Sequence, residues 1–396
     1  MTSQKKPIPK IDYGIILSLM LLTFVSLITI YSAQKTGQYG STNFVLQQVV
    51  WYIISTIAII VIIQFDSDQM KKISWYAYGV CLLLLIGLIL LPETKYTPIR
   101  NGAQSWYEIP KFGAIQPSEF MKVFTIIVLA KITASHNLKF INKNVKTDLW
   151  LLFKLGVITM IPAALVLKQP DLGTALVFGC ILLAIILVSG ISWKLLLPLF
   201  STATVVIGGV LYVAIFQHEL LKGILADHQY KRIYSWLDPY SYRSDEAFQL
   251  VKSLLAVGSG QTTGKGYKSG EVYMPEAHSD FIFSTIGEEF GFIGGSIVIS
   301  LFFMLIYQIT KTGIETKNPF YSYICAGVVA MLAFHVFENI GMTIGLVPIT
   351  GIPLPFISYG GSALLGNMMA VGIILSIRYH YKKYMFSDDQ EGSLYD

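Results

Sequence analysis

Charge is scarce in this chain: Asp, Glu, Lys and Arg make up only 13% of its 396 residues, roughly half of what a soluble chain carries. Hydrophobic residues reach 54%, which excludes an ordinary soluble globular protein and implies a polytopic membrane protein. Cysteine is nearly absent. Cys81, Cys180 and Cys325 all sit inside apolar runs, which excludes a disulfide framework and a cysteine-based metal spacing. The six histidines are dispersed and form no HExxH pair. The run GSGQTTGKG at 258–266 misses the Walker A spacing, and no Ser or Thr follows Lys265. It reads as a flexible turn with a basic side chain.

Apolar runs fill most of the remainder. Ten are long enough to approach the roughly 20 residues that a bilayer span needs, near 12–31, 44–64, 75–91, 118–135, 149–167, 172–189, 193–216, 281–310, 319–345 and 362–379. The fourth to sixth are short or interrupted by polar residues. The expected fold is therefore an all-α polytopic membrane protein of about ten transmembrane helices, forming one domain over 1–396. Lys5, Lys6, Lys10, Lys71, Lys72, Lys139, Lys143, Lys146, Lys311, Lys317, Arg378, Lys382 and Lys383 all fall on one side of a ten-span topology. Short cytoplasmic loops retain such charge, so both termini are expected in the cytoplasm. The first span has no small-residue cleavage site before Lys35 and reads as a retained helix. The net charge of +5 follows from this topology, and nothing suggests a nucleic-acid partner.

Two loops on the opposite, outer side hold nearly all the polar material. The first, 92–117, contains Arg100, Trp106, Glu108 and Lys111. The second, 217–280, lies between helices 7 and 8 and runs for 64 residues, far beyond a simple connector. Tyr230, Tyr234, Trp236, Tyr240, Tyr242 and Phe248 give it too much aromatic content for a disordered segment. Within it, Ala247, Phe248, Val251, Leu254 and Leu255 form a helical stripe over 244–257, with Ser244 as N-cap and Asp245 and Glu246 in the first turn. Such a helix is expected along the outer membrane surface.

Ionisable residues recur where apolar runs begin or end on that side. Glu119 and Lys122 are one helical turn apart and can pair. Lys168 and Asp171 bracket Pro170. Glu288 and Glu289 lie deeper in the eighth span, with no cation within a helical turn. A charge at mid-membrane costs roughly 2.5–3.5 kcal/mol on insertion scales. Asp280, in PEAHSDFIFSTIGEEFGFIGG at 275–295, stands where the long loop enters that span. It fits equally a helix cap or a catalytic carboxylate. Near the C-terminus, NIGMTIGLVPITGIPLPFISYGGSA at 339–363 has three prolines and five glycines in 25 residues and cannot continue a regular helix. Irregular backbone at membrane depth is tolerated where it is buried in protein or lines a watery cavity. The segment is expected to help build a site, with the Ser358 hydroxyl and the Gly360 and Gly361 N–H groups facing an anion.

That segment resembles the signature of the shape, elongation, division and sporulation (SEDS) family of bacterial membrane proteins, represented by RodA and FtsW. SWYEIPKFGAIQPSEFMK, KQPDLGTA, RIYSWLDPY, AFQLVKSLLAVGSG and the 275–295 segment extend the resemblance in the family's order. The MTIG wording after Asn339, Ile340 and Gly341 is more similar to RodA than to FtsW. Ser279 stands where many relatives have Thr, and Ala363 where many have Ser; neither change touches an ionisable group.

The resemblance implies a peptidoglycan glycosyltransferase that polymerises lipid II at the outer face of the bacterial cytoplasmic membrane, for cell elongation and rod shape. It also implies a class B penicillin-binding transpeptidase as partner, alongside other elongation-complex membrane proteins and membrane lipid. By position, Asp280 matches the family's essential acidic residue, and Trp106, Glu119 and Lys122 match its functional positions in the first loop and fourth helix. The reaction needs a base near an acceptor 4-hydroxyl and positive charge near a lipid diphosphate. Asp280 is the expected base. Lys122, Lys168 and Arg232 are candidates for the diphosphate, together with a divalent cation, Mg2+ or Mn2+. Asp171, Gln249, Lys265 and His278 complete the candidate substrate contacts, and Trp106 fits either a sugar-stacking platform or an interfacial anchor. One base without a covalent intermediate implies inversion, from an α-linked donor to a β-1,4 product with undecaprenyl diphosphate leaving. A lipid II flippase would place its essential charges near the midplane between repeats, and a non-enzymatic scaffold would need only helix surfaces.

Overall fold

The computed structural model describes residues 12–34, 43–99, 102–110, 113–216, 233–240 and 245–384. Lys5, Lys6, Lys10, Arg100, Lys111, Arg232 and Ser244, together with Tyr230 and Tyr242, lie outside the described residues. Among the described residues the fold is all-α apart from one small hairpin and an isolated bridge between Thr94 and Thr97. Its elements are α1 (Tyr13–Gln34), α2 (Phe44–Ile62), α3 (Ser67–Leu90), β1 (Tyr107–Ile109), β2 (Gly113–Ile115), α4 (Pro117–Lys139), α5 (Val145–Lys168), α6 (Leu172–Val188) and α7 (Trp193–Phe216). They continue with α8 (Asp245–Ser259), α9 (Ile282–Glu315), α10 (Pro319–Thr343) and α11 (Gly361–Tyr384).

Seven of these helices, α1, α2, α3, α5, α9, α10 and α11, are long and apolar enough to cross a membrane. With α4, α6 and α7 they account for the ten expected spans, and the chain is a multi-pass membrane protein. Their starts are written in the sequence. Asp66 accepts from the backbone N–H groups of Asp68 and Gln69 and opens α3 in a capping box. Asn144 does the same for α5 with Thr147, and Pro117 and Pro319 occupy first-turn positions in α4 and α10, where the missing N–H costs nothing.

Helices α4 and α10 form the centre. α4 touches α3, α5, α6, α10 and α11, while α10 touches α4, α6, α8, α9 and α11. This explains why α4 is the least apolar of the expected spans: Glu119, Lys122 and Thr125 on it are buried against neighbouring helices, away from lipid. Outward-facing Leu, Ile, Val and Phe side chains cover the other helices, as a lipid-facing surface requires.

Between α7 and α9 lie a helical turn at 233–237 and α8. Helix α8 packs on α9 and α10 and buries Ala247, Leu250, Ser253 and Ala256, spaced three residues apart. Phe248 and Leu255 of the expected apolar stripe point outward, 48% and 51% exposed. Ala247, Ser253 and Ala256 let α8 lie close to its neighbours with Leu250 buried among them, and Phe248 and Leu255 are left for the outside.

α9 is interrupted at Gly291 (φ 62°, ψ −158°), a conformation that only glycine adopts readily. The 258–266 run, expected to be a flexible turn, is bound into this break. The Gln261 and Thr262 carbonyls accept from Phe292 and Ile293 N–H at 2.8 and 3.1 Å, while Lys265 and Gly266 N–H donate to the Glu288 and Glu289 carbonyls at 3.0 Å each. Gly264 (φ +80°) fits against the Glu289 carbonyl, where a Cβ would come within 2.1 Å.

Candidate functional site

A cavity of about 1620 Å³ opens between α2, the β1–β2 hairpin, the starts of α4, α6 and α11, and the turns at 275–281 and 349–363. It exceeds the roughly 300–1,000 Å³ of a small-molecule pocket. Trp106, Glu119, Lys122, Asp171, Gln249, His278, Asp280, Gly360 and Gly361 all line it, so residues up to 255 positions apart in sequence converge on one space. Leu46, Val50 and Ile54 of α2 supply an apolar wall, and Leu46 and Val50 are also exposed on the outer surface of the bundle.

Lys122 and Glu119 are buried, and Lys122 Nζ lies 2.9 Å from Glu119 Oε1. Lys122 Nζ also lies 3.0 Å from Nε2 of His335 on α10. At this depth a lone ammonium would be costly, and the pair reduces that cost.

Asp280 does not cap α9. The N-cap position is Phe281, with no side-chain cap hydrogen bond. Asp280 instead belongs to the turn preceding the helix, where its backbone carbonyl accepts from Asn339 Nδ2 at 2.7 Å. The same Nδ2 donates to the Ile352 carbonyl at 2.8 Å, so one buried amide holds together the two turns that flank the cavity. Gly351 (φ +75°) lies beneath the carboxylate: a Cβ there would approach Asp280 Oδ2 to 3.3 Å.

The 344–360 segment is irregular, as expected, and tied down by polar side chains. Gln48 Nε2 donates to the Ser358 carbonyl at 3.1 Å, Tyr52 Oη donates to the Phe356 carbonyl, and Tyr359 Oη donates to Gln47 Oε1. Ser358 proves to be part of this frame. Its hydroxyl donates to the Ser279 carbonyl at 2.7 Å and accepts from Leu354 N–H at 2.8 Å, so it does not face an anion. Gly361 packs on Trp51, where a Cβ would come within 2.1 Å of the indole. Gly360 and Gly361 place the start of α11 on the cavity wall, and the positive end of that helix dipole faces inward.

His278 is buried and stacks on Phe44 with ring centroids 4.1 Å apart. Burial pushes its imidazole below the ordinary range, against an upward pull from Glu276. Asp171 is the N-cap of α6, accepting from Thr174 N–H at 2.9 Å and Thr174 Oγ1 at 2.8 Å, and from Gln116 Nε2 at 3.2 Å. Its carboxylate is committed to structure at the cavity edge.

Lys168 and Lys265 do not line the cavity. Lys168 is exposed at the end of α5. Lys265 supplies the cation that Glu288 lacks on its own helix, at 2.9 Å, and also meets Glu271 at 3.2 Å. The Glu288 carboxylate holds the Lys265 ammonium above its ordinary range. Glu288 Oε1 further accepts from Glu271 and Val272 N–H at 2.8 and 3.1 Å, and Glu289 accepts from Ser32 on α1. These two glutamates fasten the loop and α1 to α9. Among the described residues no group of three or more His, Cys, Asp or Glu converges as a metal site.

His335 and Asn339 were not singled out from sequence. The available signal was three polar residues, His335, Glu338 and Asn339, on one face of an otherwise apolar span, where polarity is seldom incidental.

The comparisons agree with this architecture. Residues 13–383 match the family described as cell cycle protein, FtsW/RodA/SpoVE. Stage V sporulation protein E of Bacillus subtilis is 34% identical over 93% of this chain and 97% of its own length. The probable peptidoglycan glycosyltransferase FtsW of Geobacter metallireducens is 31% identical, covering 94% and 96%. The peptidoglycan glycosyltransferase RodA of Treponema pallidum is 30% identical, covering 92% and 97%. Among solved structures, a chain from a peptidoglycan synthase complex superposes with a TM-score of 0.74 at 23% identity, covering 94% of this chain and 98% of that one. Thermus thermophilus RodA superposes with a TM-score of 0.66 at 21% identity, covering 94% and 97%. With the match running through nearly all the membrane-spanning helices and the cavity they enclose, the chain belongs to the FtsW/RodA/SpoVE family.

Proposed function

We propose that this chain polymerises lipid II into glycan strands at the outer face of the bacterial cytoplasmic membrane, with both termini in the cytoplasm. The observation that carries the reading is the joint presence, in one large cavity, of the Asp280 carboxylate and the buried Lys122–Glu119 pair. Relatives named peptidoglycan glycosyltransferase support it. The apolar α2 wall, continuous with the lipid-facing surface, suits a substrate whose reacting sugar is tethered to a long hydrocarbon.

In this reading Asp280 accepts the proton of the acceptor 4-hydroxyl as that oxygen attacks the donor's anomeric carbon. The bond to the lipid diphosphate breaks on the opposite face, giving an inverted β-1,4 linkage and undecaprenyl diphosphate. A positioned base contributes about 10²–10⁴-fold, and Lys122 stabilises charge developing on the leaving diphosphate. Among the described residues, Glu108, Glu276 and Asp280 bring carboxylates to the cavity, which would hold Mg2+ or Mn2+ together with substrate phosphate oxygens and water. A bound cation would supply further neutralisation of the diphosphate. The MTIG wording supports an elongation role, with a class B penicillin-binding transpeptidase as partner.

The test is glycan-strand formation from purified lipid II by the detergent-solubilised chain with its transpeptidase partner, comparing wild type with Asp280→Asn. A drop of at least about 10²-fold with folding and partner binding intact is expected. Equal rates would place the base elsewhere. Failure of the wild type to polymerise with divalent metal present would favour lipid transport or a scaffold.

A further inference from the structure

Lys122 is 1% exposed, yet it lines the cavity, and an ammonium carries three N–H donors. One donor meets Glu119 Oε1 at 2.9 Å. A second meets His335 Nε2 at 3.0 Å. An ammonium can only donate, so opposite it Nε2 must present a lone pair, which requires the neutral tautomer with its proton on Nδ1. Two of the three donors are thereby directed along α4 and toward α10, and the third is left for the cavity.

We infer that His335 is a positioning residue for diphosphate recognition, an uncharged acceptor that aims the Lys122 ammonium into the cavity without cancelling its charge. This inference rests on the lipid-diphosphate chemistry proposed above.

The identity of the acceptor matters electrostatically. Glu119 already balances the lysine charge in a buried setting. A second carboxylate at position 335 would satisfy the same N–H but leave the cluster net negative beside an incoming diphosphate, and like charges at short range repel strongly where water is scarce. An apolar residue there would leave a buried N–H without its acceptor, which a buried donor tolerates poorly. A neutral nitrogen avoids both penalties.

The placement is also mechanical. His335 is 3% exposed and Asn339 is fully buried, and four residues of helix separate them, about 6 Å along the axis. Asn339 holds the Asp280 carbonyl, so one stretch of α10 fixes the lysine and the turn bearing the aspartate relative to each other.

A histidine serving only to satisfy a buried lysine would be replaced equally well by glutamine or glutamate. The experiment compares His335→Gln, His335→Glu and His335→Leu in the full-length detergent-solubilised chain. It reads direct binding of undecaprenyl diphosphate, the lipid II dependence of polymerisation with the transpeptidase partner, and thermal unfolding. The Gln variant should stay within about threefold of wild type in both Kd and KM. The Glu and Leu variants should weaken probe binding and raise KM by about tenfold or more, the scale of one hydrogen bond to a charged group, when compared at equal amounts of folded protein. A Glu variant that binds and polymerises like wild type, or a Gln variant as impaired as the Leu variant at the same melting temperature, overturns the assignment. If wild type binds the probe but makes no glycan, the polymerase reading fails and the binding series alone decides this one. If wild type binds no probe, both fall.

Discussion

Asn339 Nδ2 lies 2.7 Å from the backbone carbonyl oxygen of Asp280, joining the interior of α10 to the turn that enters α9. Through its second bond, to Ile352, the same nitrogen links α10 to both turns at once. Replacing it with leucine strands two buried carbonyls, at about 1–3 kcal/mol each. Asn339→Leu should lower the melting temperature and reduce polymerisation at least about tenfold. Wild-type rates in a stably folded Asn339→Leu protein would show that the turn holds Asp280 without help.

The two lysines that carry side-chain ion pairs to buried glutamates should behave differently. Lys122→Met removes the buried cation beside Glu119 from the cavity wall and should abolish polymerisation. Lys265→Met leaves Glu288 with two backbone donors, so it should cost stability while retaining activity within a few-fold. Glycan synthesis by the two variants, normalised to folded protein, checks this. A folded but inactive Lys265→Met would place that lysine in the reaction.

Gly264→Ala should be among the most damaging small substitutions in the chain. Its φ of +80° disfavours any L side chain, and a Cβ would collide with the Glu289 carbonyl at 2.1 Å, a backbone atom that cannot swing away. Loss of folded protein in detergent, or a melting point many degrees lower, is expected by size-exclusion chromatography and thermal unfolding. An unchanged melting curve would mean that the loop does not stay docked in α9.

His278 predicts a pH dependence of stability. Burial depresses its folded pKa below the ordinary value of 6.5, so the unfolded chain binds more protons in the interval between the two values. Its contribution is fully present above about pH 6.5 and is lost as pH falls through the folded value. The melting temperature should drop on acidification below that point, and His278→Gln should flatten this slope. An identical slope in the variant would assign the effect to other groups.

Most of the membrane architecture was legible because long apolar runs declare themselves: α2, α7 and α10 begin at the expected residues. α3 begins at Ser67, well before the expected 75, since its first turns are polar and are specified by the Asp66 capping box, which hydropathy does not register. Asp280, Glu119, Lys122 and Trp106, each singled out through a motif, line one cavity. Pairings across sequence distance were not. Lys265 meets Glu288 over 23 residues and Lys122 meets His335 over 213, and only the assembled bundle brings such partners together. Ser358 and Asp171 carry the right chemistry for a ligand, but Ser358 is engaged by the Leu354 N–H and the Ser279 carbonyl, and Asp171 already accepts from Thr174 and Gln116.

The break at Gly291 divides α9 into unequal lengths. The piece from Ile282 to Phe290 has nine residues, about 13 Å of helix, and the 261–266 loop ties it to the rest, bonding to the Glu288 and Glu289 carbonyls on one side of the break and to the Phe292 and Ile293 N–H groups on the other. Such a joint makes the two lengths separately sensitive to change. One residue inserted into the long piece would rotate the rest of that helix by about 100° and rewrite contacts deep in the bundle, while the turn bearing Asp280 keeps its orientation. The same insertion between Ile282 and Phe290 would slip the register against the loop. The register of the membrane-embedded shaft and that of the short upper piece are therefore set by different neighbours.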